Sequence, residues 1–436
     1  MRKLLALSLI CIAIQASAAD LLTVYKDALQ NSPLPKNYLA TANATKEGTP
    51  IALGALLPQL ALTANGTYTR DTAGSYHYTY PSTAYNLTLT QPLFNYTDYA
   101  TLAGAHYNSN AAEATYQSNM QSFILMVATR YFDVLLAQDN VNFAEAETAS
   151  YKTTLDQTKA KFSVGLATYT DLAQAKANYD TGLATLVANK NALDNANQNL
   201  MELTGKPEKN LATVTKDFPF LPPDPDNADF WIEHSIQNNQ SLIAQRYTTK
   251  AALATVNESA GDQLPSVNLE LAYGQNFYRH NVLSTVSAHP QTSEASIALS
   301  LSWNVLSGGE QMATSLQDAN SYASSQNTEL NLYRQTVANT KQDYLSVLAN
   351  IAQVKAYHQS VISAESSLKD FNAKYKVGTT TIVDVLNATQ TLYQAQSNLA
   401  NAAYQYITSL LQLNYDAGTL NEKDLIALNQ YLKVIH

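Results

Sequence analysis

Apolar residues recur along this chain with two different periods. From Ala295 to Val305 the odd positions read Ala295, Ile297, Leu299, Leu301, Trp303 and Val305, and the even ones Ser296, Ala298, Ser300, Ser302 and Asn304. A period of two gives a strand one apolar and one small-polar face. Val267, Leu269, Leu271 and Tyr273 alternate in the same way with Asn268, Glu270 and Ala272, and Tyr85, Leu87 and Leu89 with Asn86, Thr88 and Thr90. Leu60 to Thr69 repeats the pattern more weakly. Each run is about ten residues, the length a tilted strand needs to cross a bilayer. Taken alone, the four runs favour a soluble sandwich.

Between the strand pairs the period lengthens to that of a helix. Phe123, Val127, Tyr131, Val134 and Gln138 share one helical stripe, as do Val337, Tyr344, Val347 and Ile351. No proline occurs from Leu93 to Lys206, and none from Gln291 to the end. A helix from Asp98 to Val164 would be roughly 100 Å long at 1.5 Å per residue. No compact domain buries such a helix, so it must stand in a bundle or a tube. Gly165 and Gly378 interrupt these stretches, and glycine supplies the left-handed turn that ends a helix. Thr168-Tyr169-Thr170-Asp171 and Thr381-Ile382-Val383-Asp384 then restart them as capping boxes, with Thr as N-cap and an acid three residues on. Gly205 and Gly418 end the returning helices.

These signals occur twice because the chain is one unit written twice. At an offset of 213, Tyr131, Val134 and Leu135 recur as Tyr344, Val347 and Leu348, and Lys161-Phe162-Ser163-Val164-Gly165 recurs as Lys374-Tyr375-Lys376-Val377-Gly378. Asp171 recurs as Asp384, Ala175 as Ala388 and Gly205 as Gly418. Upstream the offset drifts, as loop insertions require. The expected organisation is residues 1–18 as a secretory leader and 19–205 as the first repeat, with a strand pair at about 60–94 and long helices at about 98–204. A Pro-rich linker over 206–229 follows. The second repeat covers 230–418, with strands at about 267–305 and helices at about 309–417, and 419–436 is a terminal segment.

The leader reading rests on Arg2 and Lys3, an apolar core from Leu4 to Ile14, and the small-x-small site Ala16-Ser17-Ala18. It holds the only cysteine, Cys11, preceded by Ile10 where a lipidation site wants a small residue. Cleavage therefore leaves no thiol and no disulfide. Removing Arg2 and Lys3 takes the net charge from −9 to −11, which argues against a nucleic-acid partner. After the leader no eighteen consecutive residues are apolar, so no transmembrane helix is expected. An exported, strand-bearing chain without one suits the outer membrane, where a sheet must close on itself. Four strands cannot close a barrel. Two copies would give eight strands and a filled interior, and three would give twelve and a lumen. The loops Asp71 to Ala84 and Arg279 to Glu294 should then face outside.

Enzyme motifs are missing: there is no H-E-x-x-H, no G-x-S-x-G, no phosphate loop and no metal-spaced cysteine or histidine cluster. No cofactor is expected. A periplasmic or surface coiled-coil scaffold would explain the helices but not the alternating strands.

Val377-Gly378-Thr379-Thr380-Thr381-Ile382-Val383-Asp384-Val385-Leu386-Asn387-Ala388-Thr389 closely resembles the corresponding region of the TolC family. So do Gly418 to Asn429, Leu56-Leu57-Pro58-Gln59-Leu60 and Phe162-Ser163-Val164-Gly165-Leu166, and the similarity covers essentially the whole chain after the leader. The resemblance implies a mixed α and β membrane protein, internally duplicated: a homotrimeric twelve-stranded β-barrel with four strands per chain, continued by a periplasmic α-helical barrel with an equatorial collar. It implies a duct taking drugs or proteins from a periplasmic adaptor and an inner-membrane pump of RND, ABC or MFS type. It places Thr170 and Asp171 on one side of a gate and Tyr375 on the other, with Tyr375 bonding Asp171. The family pattern has an arginine where this chain has Thr380, which weakens that gate link. It makes Asp384 a constriction ring, with Asn387 where the family has a second acid. It assigns adaptor contact to the helix tips Val164, Gly165, Leu166 and Val377, Gly378, Thr379. The residues themselves leave open whether Asp171 and Asp384 only cap helices and whether the glycines only turn the chain.

Overall fold

The structure, a computed structural model, describes residues 19–73, 76–208, 210–215, 217–278 and 291–433. The expected leader lies outside the described residues. In chain order the elements are α1 (Leu21–Asn31), α2 (Pro33–Lys46), α3 (Gly48–Leu56), β1 (Gln59–Ala73), β2 (Tyr76–Phe94), α4 (Tyr96–Ser163) and α5 (Tyr169–Thr204). A short β3 (Thr213–Val214) follows in the linker, then α6 (Ala228–Asn238), α7 (Gln240–Gly261), β4 (Ser266–Tyr278), β5 (Gln291–Ser302), α8 (Glu310–Lys376), α9 (Ile382–Asp416), α10 (Glu422–Asn429) and β6 (Leu432–Lys433).

The chain forms two compact units, and each draws on both sequence repeats. One comprises the described residues within Met1–Lys36, Asn119–Asn239 and Thr336–His436; the other comprises Asn37–Ser118 and Gln240–Gln335. The long helices α4 and α8 contribute to both.

In the first unit, the helical stripe predicted on α4 is core. Phe123, Val127 and Tyr131 are fully buried and Val134 nearly so. On α8, Tyr344 and Val347 are buried in the same way. The small N-terminal helix α1 presents Leu21, Val24, Tyr25 and Ala28 to this core, the i, i+3, i+4, i+7 set of an amphipathic helix. Its start is fixed by Asp20, whose Oδ1 accepts the Thr23 backbone N–H at 2.8 Å. Tyr131 donates its hydroxyl to the Ala212 carbonyl at 2.6 Å, and Tyr344, its counterpart in the repeat, donates to Asp226 at 2.5 Å. Both bonds tie a long helix to the linker. The linker also joins the terminal segment through antiparallel β3–β6 pairing. Gly418 closes α9 at φ +70°, and a Cβ there would stand 2.1 Å from the Asn238 carbonyl oxygen, so only glycine fits.

Over one eighteen-residue window α4 is long and apolar enough, by composition, to cross a membrane. No eighteen consecutive residues of α4 are apolar, and Phe123, Val127 and Tyr131 of this helix are buried in the core of the first unit.

The second unit holds a four-stranded antiparallel sheet ordered β1-β2-β4-β5. The strands outrun the ten residues expected: β1 has 15 and β2 has 19. The segment from Asp71 to Ala84, expected as an outer loop, is instead mostly strand, with pairing continued to Ala73↔Tyr76. Its Thr and Tyr residues are polar enough to read as loop but are good strand formers. Of the other expected loop, Arg279 to Glu294, residues 279–290 lie outside the described ones and 291–294 begin β5. At its far end β5 stops at Ser302, short of the expected Val305. There the Trp303 indole N–H turns to the Gln263 carbonyl at 3.1 Å.

Candidate functional site

Two places in the structure are candidates for function, one in each unit. In the sheet, the cross-strand register sorts side chains by face. Residues directly opposite one another share a face. Leu60 pairs with Leu89, Leu89 with Leu271 and Leu271 with Ile297. Leu62 pairs with Leu87, Leu87 with Tyr273 and Tyr273 with Ala295. The opposite face reads Ala61, Thr88, Ala272 and Ser296 across the four strands, then Thr63, Asn86, Gly274 and Glu294. The apolar rows are open: Leu62 is 72% exposed and Ile297 77%. A soluble sandwich would bury such a face against a second sheet, and the only other sheet among the described residues is the β3–β6 pairing in the first unit, two residues per strand. Among the described residues β1 and β5 are also the edges, each paired along one side only.

The second place is the pair of helix tips. Both are built alike at the sequence offset of 213. At the first, the Leu166 N–H reaches the Lys161 carbonyl at 2.8 Å and the Gly165 N–H the Phe162 carbonyl at 3.0 Å. At the second, the Thr379 N–H reaches Lys374 at 3.0 Å and the Gly378 N–H Tyr375 at 3.3 Å. This double bond pattern around a left-handed residue is the Schellman helix end, and Gly165 and Gly378 sit at φ +76° and +78°. With the backbone closed on itself, the side chains point out. Val164, Leu166 and Val377 are 68%, 78% and 74% exposed, and Thr379 is exposed beside them.

The restart is a full capping box in both copies. Asp171 Oδ2 accepts the Thr168 backbone N–H at 2.9 Å and its hydroxyl at 2.7 Å. Asp384 Oδ2 accepts from the Thr381 hydroxyl at 2.6 Å, the Thr380 hydroxyl at 2.7 Å and the Thr381 N–H at 3.0 Å. These donors favour the charged form and hold both acids below the ordinary carboxylate pKa; the largest cause is the Thr168 backbone N–H for Asp171 and the Thr381 hydroxyl for Asp384. All the bonds go to Oδ2, so Oδ1 of each acid remains open among the described residues.

Of the expected gate residues, Thr380 is therefore drawn onto Asp384, and Thr170 stays exposed beside Asp171. Within the single chain Tyr375 makes no hydrogen bond to Asp171. The Tyr375 ring instead packs against the cluster of Tyr151, Ile382 and Leu386, and Lys161 Nζ lies 3.7 Å from its centroid. Such a cation–π contact contributes about 0.5–2 kcal/mol and links α4 to α8. Asp384 and Asn387 line one shallow groove with Ala364, Ser367 and Phe371, as their i, i+3 spacing requires. The Lys161 contact was missed by the sequence reading, because no periodicity connects residues 214 positions apart. Among the described residues no group of three or more acids, histidines and cysteines is placed to hold a metal ion.

The chain matches the family model described as outer membrane efflux protein over residues 24–206 and 231–419. Outer membrane protein TolC of Vibrio cholerae is 34% identical over 419 residues, covering 96% of this chain and 94% of that protein. The alkaline protease secretion protein AprF of Pseudomonas aeruginosa is 27% identical, covering 94% and 86%. In fold, the chain is similar to the crystal structure of the Campylobacter jejuni CmeC outer membrane channel, with a TM-score of 0.80 at 18% identity over 95% of this chain and 90% of that one. The two matched runs stop on either side of the Pro-rich linker, so the duplicated halves are the family's own unit, and this chain belongs to the outer membrane efflux protein family.

Proposed function

We propose that three copies of this outer-membrane efflux protein close one twelve-stranded barrel, continue it as a helical tube in the periplasm, and pass drugs or secreted proteins to the exterior. The observation that carries the reading is that β1 and β5 are each paired with a strand along one side only among the described residues, beside an exposed apolar ladder. Lipid offers no hydrogen bonds to an open edge, so a sheet in it must close. Four strands are too few, eight leave no lumen, and twelve enclose one.

The helix tips around Gly165 and Gly378 are the contact for a periplasmic adaptor, which couples the duct to an inner-membrane pump of RND, ABC or MFS type. Their exposed apolar side chains and rigid Schellman backbones support that role. Asp384 from three copies forms the constriction ring, with Asn387 adding dipoles. The gate joins Asp171 and Thr170 to Tyr375 and Thr380 of a neighbouring helix pair and is weakened by the absence of an arginine at Thr380. Transport by this route needs no cofactor and no catalytic residue. The mature chain starts after the leader 1–18, and the segments 206–229 and 419–436 form the collar. The mass of the detergent-extracted protein tests the assembly: a trimer is expected, and a monomer or an eight-stranded dimer overturns it.

A further inference from the structure

A cavity of about 350 Å³ opens between α4, α5 and α9 in the first unit. Amides, hydroxyls and aromatic rings make up most of its lining, and Glu147 is the one charged group in it. That carboxyl is half-buried, and burial raises its pKa against the opposing effect of its one hydrogen bond. Oε1 accepts the Tyr151 hydroxyl at 2.9 Å; Oε2 has no partner among the described residues. Tyr393, on the facing wall, stands close enough for its phenol to feel the Glu147 charge, yet its hydroxyl has no partner among the described residues either. Lys190 pairs with Glu145 at 2.9 Å and Lys152 with Asp156 at 2.9 Å, and among the described residues no lysine or arginine forms an ion pair with Glu147. Behind the wall, Thr148 Oγ1 is buried without a partner, 3.2 Å from where a Cβ on Gly182 would sit.

A carboxylate taken partly out of water without a counter-charge costs free energy unless something pairs with it. No cation among the described residues does so. Three aromatic rings, Phe143, Tyr151 and Tyr393, line the same space. Rings flanking an acid recognise an ammonium group, through the carboxylate and through their π-faces. The side-chain amides of Asn178 and Gln394 supply further acceptors. The size is that of a small-molecule site. We infer that this cavity binds a small organic ammonium, its N–H⁺ on Glu147 and its carbon frame between the Phe143 and Tyr393 rings.

The groups facing Glu147 are Tyr151 from α4, Tyr393 from α9 and the uncharged Asn178 and Thr181 from α5. Binding uses the ionised acid, so affinity weakens as pH falls through the pKa of Glu147.

Calorimetry on the full-length detergent-purified protein, with benzylamine as probe and benzyl alcohol as its neutral counterpart, tests the site. One saturable site per chain is expected for the amine and none for the alcohol. Glu147→Gln weakens it at least tenfold. Thr185→Trp, at an exposed position on the rim, blocks it without touching the carboxyl. Asp384→Ala leaves it unchanged, which separates this site from the proposed ring. No saturable amine binding, equal affinity in Glu147→Gln, equal binding of the alcohol, or loss confined to Asp384→Ala overturns the inference.

Discussion

Asp343 on α8 and Asp416 at the end of α9 face each other carboxyl to carboxyl. Arg130 on α4 stands where Asp343 does at the offset of 213, and it donates to Glu202 on α5 at 2.7 Å and to the Asn199 carbonyl; Glu202 corresponds to Tyr415, and Asp416 to Leu203. The duplication has thus kept a polar joint between a long helix and its returning partner but not the residues that make it. Burial, and then the bond and charge of Asp416, push Asp343 up to about 8. The end of α9 is itself a poor place for negative charge, being the negative end of the helix dipole.

This pair sets a pH dependence of stability. Because its folded pKa lies above the unfolded value near 4, Asp343 binds more protons folded than unfolded between about pH 4 and 8. Its stabilising contribution is complete below that window and is lost as pH rises through it. Asp343→Asn, which keeps a donor, is expected to melt about 2–4 °C higher than the unaltered protein at pH 8 and to show no advantage at pH 4. Identical melting shifts at the two pH values would show that the pair does not share a proton.

The apolar ladder predicts an alternation along β4. Leu271 lies in the ladder and Ala272 on the opposite face. Arginine in the middle of a lipid face costs about 2–4 kcal/mol. Leu271→Arg is therefore expected to lower the yield of assembled outer-membrane protein sharply, and Ala272→Arg much less. Equal yields would place β4 outside lipid.

At the gate, Tyr375→Phe combined with Asp171→Ala is expected to raise single-channel conductance in planar bilayers, modestly because Thr380 already replaces an arginine. Tyr375→Phe alone keeps the capping box of α5 and the Lys161 contact, so it isolates the phenol hydroxyl. Loss of the α5 cap alone, as in Thr168→Ala, costs about 1 kcal/mol of helix stability and leaves the Tyr375 hydroxyl in place. If the double variant conducts as the unaltered channel does, closure rests on other contacts.

The ring is tested by trivalent-cation block from the periplasmic side. Carboxylate rings select cations and concentrate multivalent ones. Asp384→Ala is expected to abolish block, and Asn387→Asp to strengthen it by adding a second acid on the same helix face. Oδ1 of Asp384 is open among the described residues while Oδ2 caps the helix, so one side chain can serve both roles. Block that survives unchanged in Asp384→Ala would leave only the cap.

Local signals in the chain carried over directly. The turn at Gly165 and Gly378 and the capping boxes at Thr168 and Thr381 were legible because each is a short-range relation between backbone and side chain, decided within six residues. The helical stripe of Phe123, Val127 and Tyr131 was legible for the same reason, since periodicity follows from helix geometry. The family resemblance rested on these same motifs. The tertiary structure decided everything that joins distant positions. It decided that Leu60, Leu89, Leu271 and Ile297 form one row, because register is a property of paired strands rather than of any one strand. It continued strands through the Thr- and Tyr-rich stretch after Asp71, where polar composition suggested a loop but hydrogen-bonded pairing won. It also set Lys161 on Tyr375, Asp343 against Asp416, and Glu147 alone in a cavity walled by three helices. Charge and burial at such places depend on what packs opposite, and the sequence does not say what lies opposite.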